Sequence, residues 1–155
     1  MKLALNGALT IGTLDGANIE IRQEVGPDNF FIFGLSTQEV ANLKNAGYNP
    51  WDYYHANAEL KQALDMIASG YFSPEQADRF QSIVNNLTHG GDHYLLLADY
   101  ASYVAAQERV EALYRDRKQW MRSAILNVAG MGKFSSDRAI SEYAQKIWGA
   151  IPVLK

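Results

Sequence analysis

Four places in the chain hold side chains with the capacity for chemistry. Lys2 lies in the opening run Met1-Lys2-Leu3-Ala4-Leu5-Asn6-Gly7. A lysine amine in a desolvated site attacks carbonyl carbon, but a lysine beside a chain start is ordinarily solvated and frayed. His89-Gly90-Gly91-Asp92-His93 has metal-like residue types. Zinc needs three or four converging ligands, and the paired glycines keep a helix from holding both histidines on one face, so a solvated loop is expected. Ser135-Ser136-Asp137-Arg138 could cradle an anion at a helix start, yet helix capping accounts for it with less. Trp51, Tyr53, Tyr54, Tyr71 and Phe72 could stack on a sugar ring, but their helical spacing reads as core and boundary packing, with His55 a helix-surface or boundary residue beside Trp51, Tyr53 and Tyr54. No Gly-x-Ser-x-Gly elbow, dinucleotide fingerprint or P-loop occurs. Gly7, Gly12 and Gly16 read as tight turns around a strand. Residue types and spacing alone therefore assign no catalytic residue and no metal ligand.

The elements that would position these groups begin with a β-α-β pattern. Leu9 to Leu14 is a short apolar run with β-branched Thr10, Ile11 and Thr13, which reads as a buried strand. Asp15 N-caps a helix from Ala17 to Val25, and Gly26-Pro27-Asp28 ends it. Phe30 to Phe33 is a second strand, stopped by Gly34. Such strands should be parallel and buried on both faces. Two strands are too few for a stable sheet, so further strands are expected from elsewhere.

Helices dominate beyond residue 35. Ser36 and Glu39 predict a capping box for a helix to Asn45, closed by Gly47. Asn49-Pro50 starts a helix running to about Ala68, and Ser73-Pro74-Glu75-Gln76 is a second capping box. Thr88 to His93 reads as a loop, and Tyr94 to Ala98 as either a third strand or a helix entry. Asp99 caps a helix to Tyr114, with Tyr103, Val104, Val110 and Leu113 inward. Asp116 caps one with Trp120, Ala124, Ile125 and Val128 inward, ended by Gly130 and Gly132. Ser135 or Ser136 caps the last, with Ile140, Tyr143, Ala144, Ile147 and Trp148 inward and Pro152 beyond its end.

Composition excludes several classes. The 155 residues include no cysteine, so disulfides, thiolate metal sites and cysteine nucleophiles are out. The net charge of −3 argues against a nucleic-acid binder. No apolar run approaches membrane-spanning length, and the apolar start, broken by Asn6 and Gly7, lacks the marks of a signal peptide. A cytoplasmic location is the expectation. The charge is uneven: residues 1–107 hold 5 Lys/Arg against 12 Asp/Glu, whereas residues 108–155 hold 9 against 5. Solvated basic helix faces account for the second half.

The opening stretch also carries a resemblance. Met1-Lys2-Leu3-Ala4-Leu5-Asn6 and the following Gly-Ala-Leu-Thr-Ile-Gly-Thr-Leu-Asp-Gly-Ala-Asn-Ile-Glu resemble the pyridoxal-phosphate attachment region of the α-glucan phosphorylases. The likeness continues through Phe30–Gly34, Gly132–Arg138 and the Tyr143–Trp148 helix, so it covers essentially the whole chain. Family chains are several times longer, and this one resembles their C-terminal part, starting one residue before the cofactor lysine.

The resemblance implies that Lys2 is the cofactor-binding lysine, forming the imine with pyridoxal phosphate. It implies an enzyme that cleaves α-1,4-glucans with inorganic phosphate and releases glucose 1-phosphate, the phosphate of the cofactor exchanging a proton with the substrate phosphate. It implies an α/β fold: the C-terminal portion of a Rossmann-like domain in a two-domain glycosyltransferase (GT-B) architecture, with a β-α-β corner over 1–35 and a mainly helical part over 36–155. The groups that grip phosphate and sugar lie upstream in the family, so no catalytic residue carries over and the isolated chain is expected to be inactive. The missing N-terminal part of the same enzyme is the expected partner, and exposed strand edges predict self-association. The alternative is a non-catalytic interaction or regulatory module descended from a phosphorylase.

Overall fold

The expected β-α-β corner forms first. In the computed structural model, which describes residues 1–151, a one-turn helix α1 (Lys2–Leu5) leads to strand β1 (Thr10–Gly12). Helix α2 (Gly16–Val25), a 3-10 turn (Pro27–Asn29) and strand β2 (Phe30–Ile32) follow. The strands pair in parallel, with Thr10 opposite Phe30, Ile11 opposite Phe31 and Gly12 opposite Ile32. Each is shorter than its apolar run, because only three residues of each meet a facing backbone. Phe30 and Phe31 are buried, whereas Thr10, Ile11 and Gly12 are half-buried; burial on both faces is not reached in β1.

The helical remainder comprises α3 (Thr37–Asn45), α4 (Pro50–Ala56), α5 (Ala58–Ala68), α6 (Gln81–Thr88), α7 (Leu96–Arg115) and α8 (Arg117–Gly130). A 3-10 turn (Met131–Phe134), α9 (Ser136–Tyr143) and a π-helical turn (Ala144–Trp148) complete the described elements. Pro152, expected to stop the last helix, lies outside the described residues. Among the described residues no helix is long and apolar enough to cross a membrane.

Two compact units result. One comprises residues 1–32 and those from 108 onward; the other is Phe33–Gln107. In the first, Ala4, Ile21, Val25, Phe30 and Met131 form the core, with Ile32 and Phe134 packed on it. Gly130 is required there: a Cβ at this position would stand 2.6 Å from the backbone oxygen of Glu24, so α8 approaches α2 more closely than any side chain permits. Arg109 donates to the Ile32 carbonyl at 2.8 Å, and Lys133 pairs with Glu24 at 2.6 Å.

The second unit packs Leu60, Leu64, Val84 and Leu97 against Tyr53, Tyr54, Ile67, Leu87 and Tyr100. The Ser36–Glu39 capping box forms as expected, and Asn49 accepts the Trp51 N–H with Pro50 at the first helical position. The chain after β2 is fastened to α7, where Ser102 Oγ accepts the Gly34 N–H and Asp99 Oδ1 the Leu35 N–H, both at 2.8 Å.

Several expectations are corrected. The helix from Asn49 does not run through to Ala68. Asn57 takes an extended backbone, ends α4 and caps α5 by accepting the Leu60 N–H at 3.0 Å. Ser73-Pro74-Glu75-Gln76 makes no capping box. Residues 70–80 instead form consecutive turns, including Ser73 N–H to Gly70 O and Gln76 N–H to Ser73 O, and helix begins only at Gln81. Gly70 is why they can: its α-hydrogen side lies against Ala77, where a Cβ would come within 2.6 Å of Ala77 Cα. Tyr94 to Ala98 resolves as a helix entry starting at Leu96, so Asp99 sits inside the first turn of α7 rather than capping it.

The apolar faces of the last two helices are also not buried as periodicity implied. In α8 the buried residues are Ser123 and Asn127, while Ile125 and Val128 are exposed. Ile140, Tyr143, Ile147 and Trp148 are exposed as well. The apolar stripe is present, but no described residues cover it.

Candidate functional site

Lys2 opens α1 and is exposed. The turn is fixed by the Leu5 N–H bonding to Met1 O at 3.0 Å and by Asn6 Nδ2 donating to Lys2 O at 2.8 Å. Ala4, one turn face away, is buried in the core of the first unit. The helix is thus anchored through Ala4 while the lysine side chain projects to solvent. Among the described residues no hydrogen-bond acceptor or carboxylate engages the Lys2 amine. Its donor chemistry fits pyridoxal phosphate, being an accessible primary amine, although none of the described cavities is lined by it.

The turn after β1 is built on side-chain contacts rather than a helix cap. Asp15 holds the N-cap position of α2 but accepts the Thr13 hydroxyl at 3.1 Å instead of a helix N–H. Asn18 donates to Thr13 O at 2.9 Å and occupies the space that a Cβ on Gly12 would need. Gly7 and Gly16 turn the chain at positive φ as expected, whereas Gly12 belongs to β1 itself and is needed for the close approach of Asn18.

The histidine run is dispersed. His89 lies at the end of α6 with Nδ1 3.1 Å from Thr88 Oγ1, and its ring meets Trp51 edge to face at 5.4 Å. The carbonyl of His93 accepts from Lys44 at 3.2 Å. Among the described residues no group of three or more His, Cys, Asp and Glu side chains converges as a metal site. Asp92 departs from the expected solvated loop. It is 4% exposed and accepts both the Tyr48 hydroxyl and the Leu97 N–H through Oδ2, each at 2.8 Å. It supplies the start of α7 that Asp99 was expected to supply. Nothing in the local sequence marks it, since an aspartate five residues ahead of the bonded N–H falls outside the usual cap spacing.

Trp51 gathers His55, Tyr54 and His89 around it, with His55 stacked at 6.0 Å and Tyr54 edge-on at 5.1 Å. Packing with its own neighbours thus occupies the Trp51 ring. Tyr71 and Phe72 stand apart as an exposed pair, 5.1 Å between centroids. At Ser135, the N-cap position of α9, no side-chain cap bond forms. Arg138 reaches back instead, donating to Lys133 O at 2.5 Å and pairing with Glu142. The Arg138 guanidinium is thus engaged by its own chain neighbours.

The sequence matches the carbohydrate phosphorylase family over residues 1–150. Over 154 residues it is 55% identical to a glycogen phosphorylase of Synechocystis sp., covering 99% of this chain and 18% of that protein. It is 52% identical over 152 residues to the muscle form of glycogen phosphorylase from Oryctolagus cuniculus, and 53% identical over 152 residues to the brain form from Homo sapiens. Each alignment covers 98% of this chain and 18% of the relative. The chain therefore spans about a fifth of the length of these relatives.

Proposed function

The chain belongs to the carbohydrate phosphorylase family, and on that footing we propose that it is the C-terminal, cofactor-tethering segment of a glycogen or α-glucan phosphorylase. The whole enzyme takes an α-1,4-glucan and inorganic phosphate and releases glucose 1-phosphate. Lys2 is the residue that holds pyridoxal phosphate, whose phosphate group supplies the proton exchange of the reaction. The observation that carries this reading is the 55% identity over 154 residues, 99% of the chain, to a glycogen phosphorylase.

The architecture is consistent with the role. Two parallel strands joined through α2 are one corner of a Rossmann-like sheet, the C-terminal portion of a GT-B-type domain. The exposed stripe of Ile140, Tyr143, Ile147 and Trp148 suits packing against the remainder of a longer enzyme, in a cytoplasmic setting. The same apolar surface and the free strand edges favour self-association when the segment is alone. What this chain itself does is place the Lys2 amine at the tip of a helix anchored by Ala4. The groups that orient phosphate and sugar lie elsewhere in the enzyme, so the 155-residue chain alone turns over no glucan.

A segment exchange tests the proposal. Residues 1–155 replace the matching region of the Synechocystis relative, and phosphate-dependent release of glucose 1-phosphate from glycogen is measured. An active chimera that Lys2→Ala inactivates supports the reading. A folded chimera without activity, or turnover by the isolated chain, overturns it. A partner-binding module descended from a phosphorylase would give the first of these overturning results.

A further inference from the structure

The turn joining α7 to α8 holds a cavity of about 570 Å³, lined by Tyr114, Arg115, Arg117, Trp120 and Met121. Its size suits a small organic ligand. The Tyr114 and Trp120 rings stand at 89° with centroids 5.0 Å apart, so they form two walls of a corner. Tyr114 and Met121 are 65% and 60% exposed, which leaves the corner open to solvent. Trp120 stands one turn before Ser123 on the inward side of α8 and is half-buried, so the fold fixes that wall while Tyr114 faces solvent.

The charge in this corner is one-sided. Arg115 is paired with Glu111 on the preceding turn of α7. Asp116 directs its Oδ1 to the N-terminus of α8, where it accepts the Gln119 N–H at 3.1 Å. Among the described residues Arg117 has no carboxylate or hydrogen-bond partner, so its guanidinium is the uncompensated cation of the cavity. A guanidinium presents parallel N–H donors that match two phosphate oxygens, and it is less strongly hydrated than an ammonium. Aromatic walls add contact with any ring held beside it.

We propose that this corner binds a phosphate monoester carried on a ring, with the ring against Trp120 and Tyr114 and the phosphate on Arg117. A free phosphate would use only the cation, and an uncharged ring only the aromatics. A compound joining the two uses both without a second loss of translational freedom. The ring can be aromatic or a sugar, since either offers an apolar face. The site is separate from Lys2 and stands independently of the proposed phosphorolysis.

Titration of the 155-residue chain, followed by the indole N–H resonance of Trp120 in nitrogen–proton spectra, tests it. Trp120→Phe identifies that signal among the three tryptophans. The probes are phenyl phosphate, glucose 1-phosphate, inorganic phosphate, phenol and glucose. At least one monoester is expected to shift the signal saturably and to bind about tenfold or more tightly than inorganic phosphate or its own unphosphorylated ring. The tighter of the two monoesters identifies the ring. Arg117→Gln is expected to weaken binding about tenfold, Arg117→Lys by less, and Lys2→Ala not at all. The Arg117 side chain is exposed, so its replacement leaves the remaining amide spectrum in place. No saturable shift, equal binding by inorganic phosphate, or unchanged affinity in both Arg117 variants would overturn the proposal.

Discussion

The Tyr48 hydroxyl donates a 2.8 Å hydrogen bond to Asp92, a carboxylate 4% exposed on a residue whose φ is +41°. Asp92 Oδ2 also accepts the Leu97 N–H at 2.8 Å, so one oxygen joins the α3–α4 connection to the start of α7. Leu95, between them, is 1% exposed and also at positive φ, +58°. Two residues other than glycine are thus held in the left-handed region, where each costs of the order of 1 kcal/mol and persists only when its surroundings over-determine it.

Tyr48→Phe is expected to destabilise the second unit by about 1–3 kcal/mol, since it leaves a buried carboxylate with one donor fewer. Burial first, and then the hydrogen bond to and charge of Asp92, push the Tyr48 phenol far above its ordinary value of 10.0. A folded-state value above the unfolded one means that this contribution is full below pH 10 and is lost as pH rises past it. The stability gap between wild type and Tyr48→Phe should therefore narrow in alkaline solution. Urea unfolding at pH 7 and above pH 10 measures it; a gap independent of pH would count against the linkage.

Gly130→Ala is expected to destabilise the first unit, although alanine is the better helix former by about 1 kcal/mol. The added Cβ would stand 2.6 Å from Glu24 O and 3.2 Å from Val25 Cα, both backbone atoms that cannot swing aside. Overpacking of this kind costs about 1–3 kcal/mol, so the clash outweighs the propensity gain. Gly132→Ala is the control, because a Cβ at that position would meet nothing within 4 Å. Thermal melts of the two variants should separate them, and equal melts would refute the close approach of α8 to α2.

The parts of this fold legible in the sequence are those set by neighbours in the chain. The Ser36–Glu39 box, Asn49-Pro50 and the Asp116 cap each depend on spacing within one turn, and the parallel β1–β2 pair follows from two apolar runs separated by one helix. The misread parts depend on contacts that residue type and spacing do not announce, whether near in the chain, as for Asn57 and Leu60, or far. Asp92 is recruited by Tyr48, 44 positions away. The turns at 70–80 follow from the contact of Gly70 with Ala77. The exposure of Ile125, Val128, Ile147 and Trp148 separates periodicity from burial: a stripe at helical spacing says which side of a helix is apolar, not what covers it. For the candidate site, Lys2 is legible only through the family motif around it, because an exposed lysine in a one-turn helix has no physical signature of its own.

Asn57 offers a test of how the α4–α5 break is held. Its side chain accepts the Leu60 N–H at 3.0 Å while its backbone leaves helical geometry at φ −121° and ψ 109°. Asn57→Ala removes the cap and favours one continuous helix, which would pull Tyr53 and Tyr54 away from the Leu60–Leu64 core they pack on. The expected loss is about 1 kcal/mol from the cap alone. Asn57→Asp, which keeps the acceptor, should retain most of the stability. Urea midpoints for the pair decide: equal losses would mean that the cap bond contributes nothing.

Lys2 carries the last prediction. A lysine binds pyridoxal phosphate firmly and selectively when burial excludes water and neighbours fix the cofactor. In this chain Lys2 is exposed at the first position of a one-turn helix, and no described cavity includes it. Lys44, by contrast, is drawn to the His93 carbonyl at 3.2 Å, and Lys61 is paired with Asp65 and lies 5.0 Å over the Tyr54 ring. Selectivity for Lys2 over the other amines in the isolated chain should therefore be slight, and set by accessibility rather than by a pocket. Treatment with pyridoxal phosphate, borohydride reduction and peptide mapping should find label on several amines, including the Met1 terminus, and Lys2→Ala should remove only its share. In the segment-exchange enzyme the label should concentrate on Lys2, because the rest of the site then encloses it. Label confined to Lys2 in the isolated chain would mean that a formed cofactor pocket exists without the remainder of the enzyme, built by self-association of the segment, and dilution to monomer should then abolish it.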